Sequence, residues 1–177
     1  MTAGPVHRLA LPEFTAMMAM LFATIAFSID AMLPALPAIA TELSPDAVNR
    51  AQLVVTAFVL GMGAGTIVVG PISDAIGRRR TIFGGFALYL CGAVLAYAAP
   101  SMEVLLAARV VQGIGASGPR IVGLAVVRDL YQGREMARVT SFVMTVFMVV
   151  PAIAPSVGAV LISWGGWRLV FLAFVAF

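Results

Sequence analysis

The sequence has no lysine, one histidine and one cysteine, and only 11% of its 177 residues are charged. An ordinary soluble domain is roughly a quarter charged and about half apolar. This chain is 62% hydrophobic, and its mean hydropathy is +1.04. It cannot cover a surface with polar side chains, which excludes a soluble globular domain, and it is too hydrophobic for intrinsic disorder. The composition predicts a polytopic membrane protein.

Reactive side chains are equally scarce. The lone Cys91 can form neither a disulfide within the chain nor a metal-binding cluster, and we expect it to be a small buried apolar residue. The lone His7 lies in the N-terminal tail. Asp30 is the one acidic residue inside the apolar runs, so paired-carboxylate catalysis lacks its second group, and no GxSxG or HExxH pattern occurs. The sequence predicts that the protein is not an enzyme and uses no metal or organic cofactor.

The apolar residues fall into five long runs and a shorter sixth one. A membrane-spanning helix needs about 20 apolar residues, and continuous rather than alternating runs indicate helices, not barrel strands. The runs cover residues 14–33, 51–69, 81–99, 104–127, 139–162 and 169–177. The last one would reach only about 14 Å as a helix. The predicted fold is therefore an all-α integral membrane bundle at residues 14–177, with a tail at 1–13, about six spans and an incomplete sixth helix.

The arginines give these spans a direction. Seven of them flank the predicted spans on one side and two on the other, and cytoplasmic loops carry the excess of basic residues. The seven are Arg8, Arg78, Arg79, Arg80, Arg128, Arg134 and Arg138, against Arg50 and Arg168. This predicts a cytoplasmic N-terminus, and basic residues placed between apolar runs do not favour nucleic-acid binding. Because the loops are short, we expect consecutive spans to be antiparallel neighbours.

Three charged residues lie inside the predicted spans, where charge is costly and usually functional. Arg109 lies about 9 Å inside the fourth span, and Asp30 lies one turn from the outer end of the first. The two could pair across the bundle. If the first helix continues as a kinked span through the prolines that follow, Asp30 lies nearer the middle of the membrane. The alternatives are a structural or headgroup position for Asp30 and a snorkelling side chain for Arg120.

The fourth span carries a polar stripe. Arg109 and Arg120 are eleven residues apart, which returns to nearly the same helix face, and Gln112 lies on that stripe. A polar stripe in a span is typical of a face that lines a cavity. Between them, the GxGxxG pattern at residues 113–118 lacks the βαβ context of a dinucleotide site. Helix packing is the better interpretation of this pattern, as for the GxxxG pair Gly61 and Gly65.

The second loop and the fifth span contain ordered glycines and prolines. Gly70 and Pro71 can stop one helix, Asp74 could cap the next helical turn, and a basic cluster follows Gly77. A positive-inside turn explains the arginines but not the order of acid, glycine and arginine. In the fifth span, Pro151, Pro155 and Gly158 recur at i, i+4 and i+7. Prolines on one face suggest a helix that bends between states, although membrane helices also tolerate proline without a function.

Several of these stretches resemble the major facilitator superfamily. Residues 70–80 resemble its signature between the second and third spans, and residues 109–117 its fourth-span motif. Residues 30–40 are similar to the first-span motif of its drug/proton antiporters, in particular the bicyclomycin and chloramphenicol resistance (Bcr/CflA) group. Residues 127–131 and 151–158 also fit that group. The resemblance covers nearly the whole chain.

The resemblance implies the N-terminal half of a multi-pass transporter in the bacterial inner membrane, whose C-terminal half is missing here. Such a transporter would export small drug-like compounds by alternating access and would draw energy from the proton gradient. Asp30 would carry the coupling proton or meet cationic groups of the drug. Arg109 would favour the ionised form of Asp30 and help to shape the cavity, which Gln112 and Arg120 would also line.

The resemblance implies that the other motif residues take part in the conformational change of the bundle. The set Gly70, Asp74, Gly77 and Arg78 would gate the cytoplasmic side, and Pro151, Pro155 and Gly158 would shape a moving fifth helix. The expected partners are a small-molecule substrate, protons and the lipid bilayer. Two alternatives stay open, namely an inactive or partner-dependent half-transporter and a metabolite importer of the same superfamily.

Overall fold

A computed structural model describes residues 11–176, and this part of the chain is helical and contains no strand. Its helices are α1 Leu11–Asp30, α2 Leu36–Leu43, α3 Leu53–Ile76, α4 Arg78–Tyr97, α5 Met102–Leu130, α6 Gly133–Gly165 and α7 Arg168–Ala176. Within these residues, five segments are long and apolar enough to cross a membrane: Leu11–Leu43, Val48–Ile76, Arg78–Tyr97, Met102–Leu130 and Gly133–Gly165. The predicted helical membrane fold with five long spans is confirmed. Residues 1–10 of the predicted tail, which include Arg8, lie outside the described residues. Residues 11–13 of that tail are helical.

The first span is broken towards its C-terminal end. α1 ends at Asp30, a 3-10 turn occupies Leu33–Ala35, and α2 continues to Leu43. Pro34 and Pro37 lack the N–H that a continuous helix needs. The kinked alternative is the one that forms, so Asp30 lies at a break within the span and not one turn from its end.

The prediction that Gly70 and Pro71 stop a helix is wrong. α3 runs through Pro71 to Ile76, because one missing N–H removes a single backbone bond from a long apolar helix. The helix ends at Gly77, whose φ of 93° is a left-handed conformation that glycine adopts without strain. Asp74 lies in the last turn of α3 and does not cap α4, which begins after Gly77 without a side-chain cap.

The expectation that consecutive spans are neighbours holds only in part. α5 lies between α3 and α4 and packs most extensively against these two helices, while α1 packs mainly against α6. Glycines explain the arrangement. A Cβ on Gly61 would overlap the Val110 carbonyl, a Cβ on Gly113 the Phe58 carbonyl, and a Cβ on Gly115 the Tyr89 backbone nitrogen. The helix-packing interpretation of both glycine patterns is confirmed.

Apolar side chains fill two clusters. The larger one includes Met32, Phe58 and Phe171. The smaller one joins the start of the first span to the α5–α6 turn through Phe14, Met18, Phe22, Val127, Val139 and Val143. Cys91 belongs to neither cluster, because α4 turns the opposite face towards α5. The expectation that this thiol is buried is wrong, since it is exposed.

Ion pairs form at both ends of the bundle. At the end where the first span finishes, Arg50 lies 2.8 Å from Glu103, and Arg168 lies 2.6 Å from Glu42. At the opposite end, Arg78 pairs with acids of two helices. Helix polarity thus separates the charges into the two groups that the sequence predicts. Which group faces the cytoplasm stays a prediction.

Candidate functional site

Arg109 lies at the centre of the bundle with no exposed surface. Its Nε donates to the Val54 carbonyl oxygen at 3.2 Å, Nη1 to Gln112 Oε1 at 2.7 Å, and Nη2 to the Ser28 carbonyl oxygen at 3.0 Å. The planar guanidinium suits this task because its donors form a rigid fork. One side chain therefore connects α1, α3 and α5.

The Ser28 carbonyl is available because the first span is broken. At the end of α1, the Ala31 N–H donates to the Phe27 carbonyl at 3.0 Å. The next carbonyl, that of Ser28, accepts Arg109. Carbonyls in the last turn of a helix lack intrahelical donors and carry the negative end of the helix dipole. A buried cation there satisfies an acceptor and balances that partial charge.

Two aromatic rings complete the environment of Arg109. Its guanidinium carbon lies 4.4 Å from the ring centroid of Phe58 and 5.9 Å from that of Phe171. A guanidinium over an aromatic face gains a cation–π attraction, which is larger when the cation is desolvated. These rings bring α7 into the same site as α3.

The predicted pair between Asp30 and Arg109 does not form. Among residues 11–176, no ion pair includes either residue. The Asp30 side chain is partly buried. Asp30 follows Ser28 by two residues, about 200° around a helix. Its side chain therefore leaves α1 in nearly the opposite direction from the buried Ser28 side chain.

A serine and a tyrosine extend the site. The Ser28 hydroxyl donates to the Thr24 carbonyl at 2.7 Å, so the Tyr89 hydroxyl donates to Ser28 Oγ at 2.5 Å. Tyr89 is 2% exposed and comes from α4. Gln112 Nε2 is buried and faces the Tyr89 hydroxyl, without a hydrogen bond of close geometry in the described part of the chain. We call Ser28, Tyr89, Arg109 and Gln112 the central polar cluster. Sequence reasoning missed Ser28 and Tyr89, although two polar side chains within apolar runs were a usable signal.

The polar stripe of α5 does not form one cavity wall. Arg109 and Gln112 are fully buried between helices, while Arg120 is exposed and contacts Met62 Sδ at 3.9 Å. The cavity role that the resemblance implies for these three residues stays a prediction. Arg109 finds strong acceptors inside, whereas a thioether is a weak one. The Arg120 guanidinium therefore stays exposed, with this weak contact to Met62 of α3.

The residues of the second loop meet a residue from α5. Arg78 lies 3.3 Å from Asp74 and 3.4 Å from Asp129, and its Nη1 donates to Ser73 Oγ at 3.1 Å. Gly77 supplies the reversal that brings Arg78 back over α3. Gly70 lies within α3, and a Cβ there would meet nothing within 4 Å. Asp129 was missed as a site residue, although an acid directly after Arg128 at the end of an apolar run was visible.

The proline face of the fifth span meets the break in the first. α6 stays helical through Pro151 and Pro155. A Cβ on Gly158 would overlap the Ala31 carbonyl, and the neighbouring Ala154 is also buried. The structure therefore places Gly158 against the residue that follows Asp30.

We predict that Tyr89→Phe destabilises the protein by about 1 kcal/mol, because it removes one buried hydrogen bond and leaves the packing intact. Tyr97 is on the same helix, half exposed at 40%, so Tyr97→Phe is the matched control and should change little. Denaturant unfolding of the purified protein would measure both. Equal stabilities of the two variants would contradict a structural role for the central polar cluster.

Comparisons with known proteins agree with this architecture. Residues 16–177 match the Major Facilitator Superfamily. An uncharacterized MFS-type transporter of Bacillus subtilis, YdgK, is 36% identical over 167 residues, which cover 93% of this chain and 40% of the relative. The chloramphenicol resistance protein of Pseudomonas aeruginosa is 36% identical over 143 residues, 80% of this chain and 34% of the relative. A bicyclomycin resistance protein homolog of Haemophilus influenzae is 31% identical over 147 residues, 82% and 36% respectively.

This chain spans 40% or less of the length of these relatives. The family match nevertheless covers far more than half of the chain, and the relatives are named as transporters and resistance proteins rather than enzymes. The resemblance drawn from the motifs is confirmed: the chain belongs to the major facilitator superfamily of membrane transporters.

Proposed function

We propose that this chain forms the first half of a proton-coupled transporter that exports small drug-like compounds across a bacterial inner membrane. The observation that carries the proposal is Asp30, a partly buried carboxylate at a helix break inside a span, with no ion-pair partner among residues 11–176. Relatives named for chloramphenicol, bicyclomycin and multidrug resistance support export as the direction.

Asp30 is suited to take up and release a proton. An ionisable residue within a span is costly and marks a substrate or proton pathway. A fixed cation beside it would hold the carboxylate ionised, and Arg109 is committed to other acceptors. Asp30 can therefore change its charge, and the proton gradient then supplies the energy without a cofactor.

Contacts on both sides of Asp30 would couple its protonation to movement of the neighbouring helices. Two residues before it, the Ser28 carbonyl is held by Arg109 from α5. Directly after it, Ala31 packs against Gly158 of α6. We infer that protonation of Asp30 shifts the break between these two anchors and bends α6 near Pro151 and Pro155. Gln112 orients Arg109 in this mechanism, and the exposed Arg120 faces the substrate pathway between the two halves.

The charged turn between α3 and α4 would alternate with this movement. Arg78 bridges Asp74 of α3 and Asp129 of α5, so it holds these helices together at the predicted cytoplasmic end. Gly77 provides the backbone reversal, and Gly70 leaves open space beside α3. Each ion pair is partly exposed and therefore weak, which suits a contact that opens and closes in each cycle.

We predict that Asp30→Asn abolishes drug-dependent proton movement while the protein still folds. The amide has the carboxylate's size but cannot be ionised. The measurement is drug-driven proton flux in vesicles that contain the transporter assembled with this chain. Asp46→Asn is the matched control, because Asp46 lies in an exposed loop. Unchanged flux in Asp30→Asn would remove Asp30 as the proton carrier, and uptake of one solute without drug protection would replace export by import.

A further inference from the structure

The surface between α3 and α4 contains an apolar groove that no proposed transport step uses. α5 lies between these two helices on one side, so on the other side they leave a volume of about 310 Å³. Gly84 of α4 helps to keep it open, since a Cβ there would meet nothing within 4 Å, and Ile114 of α5 also lines it. Its rim consists of large apolar side chains, including Val68, which is 55% exposed. Water would not fill such a groove favourably.

The groove has the length of one membrane leaflet. Its lining along α3 runs from Ile76 to Ala64. The twelve steps between these two residues extend about 18 Å in an α-helix. The hydrocarbon core of a bilayer is about 30 Å thick, so each leaflet provides about half of that.

A single cation lies at the end of the groove that meets the membrane surface. Arg80 lines the groove, and within residues 11–176 it has no ion-pair or hydrogen-bond partner. Its two neighbours are engaged elsewhere, Arg78 with Asp74 and Asp129 and Arg79 over the Phe83 ring at 5.7 Å. The uncapped N-terminus of α4 adds positive partial charge at the same end.

We propose that this groove binds one anionic phospholipid of the leaflet that meets the α3–α4 turn. Its phosphate would pair with Arg80, and one acyl chain would lie along Gly84 between the helices. A protein helix in the same place would need an acid opposite Arg80, whereas an anionic lipid brings a negative group at headgroup depth together with an apolar chain. The site is independent of the proposed transport function, since neither Asp30 nor the central polar cluster lines it.

The test uses native mass spectrometry of the purified protein with phosphatidylglycerol and with phosphatidylcholine of the same acyl chains. We expect about fivefold stronger retention of phosphatidylglycerol, the effect of one basic residue near an anionic headgroup. Arg80→Gln should abolish this preference. Gly84→Leu should reduce the retention of both lipids, because it fills the groove, and a Cβ on Gly84 meets nothing within 4 Å, so the variant should fold.

Two variants serve as matched controls. Arg79→Gln removes an adjacent cation that does not line the groove, and Gly63→Leu adds the same side chain at another open glycine. Both should retain phosphatidylglycerol as the unmodified protein does. Equal retention of the two lipids, or Arg80→Gln and Gly84→Leu variants that behave like the controls, would overturn the proposal. Inorganic phosphate that raises the unfolding temperature as much as phosphatidylglycerol does would also overturn it, because the site would then bind a free anion.

Discussion

Arg109→Met is expected to abolish transport and to destabilise the protein by about 3 kcal/mol. The substitution removes the donor from two buried acceptors, the Ser28 carbonyl and Gln112 Oε1, each of which costs about 1–3 kcal/mol when left unsatisfied. It also removes the cation from the Phe58 ring. Denaturant unfolding of the purified protein and drug protection of cells would measure the two effects.

Two further variants separate charge from geometry. Arg120→Met removes a cation from the same helix, but from an exposed position, so its stability should stay within about 0.5 kcal/mol of the unmodified protein. Arg109→Lys keeps the charge but cannot present the guanidinium fork to three acceptors on different helices. It should be less stable than the unmodified protein and more stable than Arg109→Met. A stable, transporting Arg109→Met variant would show that the buried arginine does not hold the bundle together.

Gly61→Val is expected to prevent α3 from packing on α5. The new Cβ would overlap the backbone carbonyl of Val110, which cannot move aside as a flexible side chain can. Overpacking typically costs about 1–3 kcal/mol, and we expect a loss at the upper end of that range. Size-exclusion chromatography would measure the yield of monodisperse protein and denaturant unfolding its stability.

Gly63→Val is the matched control, on the same helix and two residues away. A Cβ there meets nothing within 4 Å, so this variant should fold with nearly unchanged stability. The propensity cost of valine in a helix is the same at both positions, and the difference between the variants therefore reports the α3–α5 contact alone. Equal yields and stabilities would contradict the close packing of these helices.

The predictions from local sequence features were the most reliable. Long hydrophobic runs predict membrane-spanning helices well, because every backbone polar group inside the bilayer needs a hydrogen bond within a helix or a barrel. Helix ends were less predictable. Pro71 was predicted to end a helix that continues through it, whereas Pro34 and Pro37 accompany a real break. A proline removes the same donor in each case, and the surrounding packing decides whether the helix continues.

The candidate site shows the limit of helical periodicity. The eleven-residue spacing of Arg109 and Arg120 correctly places both on one side of α5, but one is buried and the other exposed. Periodicity specifies a direction around one helix. It does not specify which other helix covers that direction at each depth. For the same reason, Tyr89 and Asp129 could not be assigned to partners on other helices.

The sequence by itself determined that this chain is a helical membrane protein, where its long spans lie and how its charges divide between the two ends. Those properties follow from composition and from the thickness of a bilayer, which act on each segment separately. Only the tertiary structure decided that Arg109 binds the carbonyl freed by the break in the first span and that Asp30 has no ion-pair partner among residues 11–176. A free acceptor arises where a helix ends, and its donor is whichever side chain the packing of small residues brings beside it.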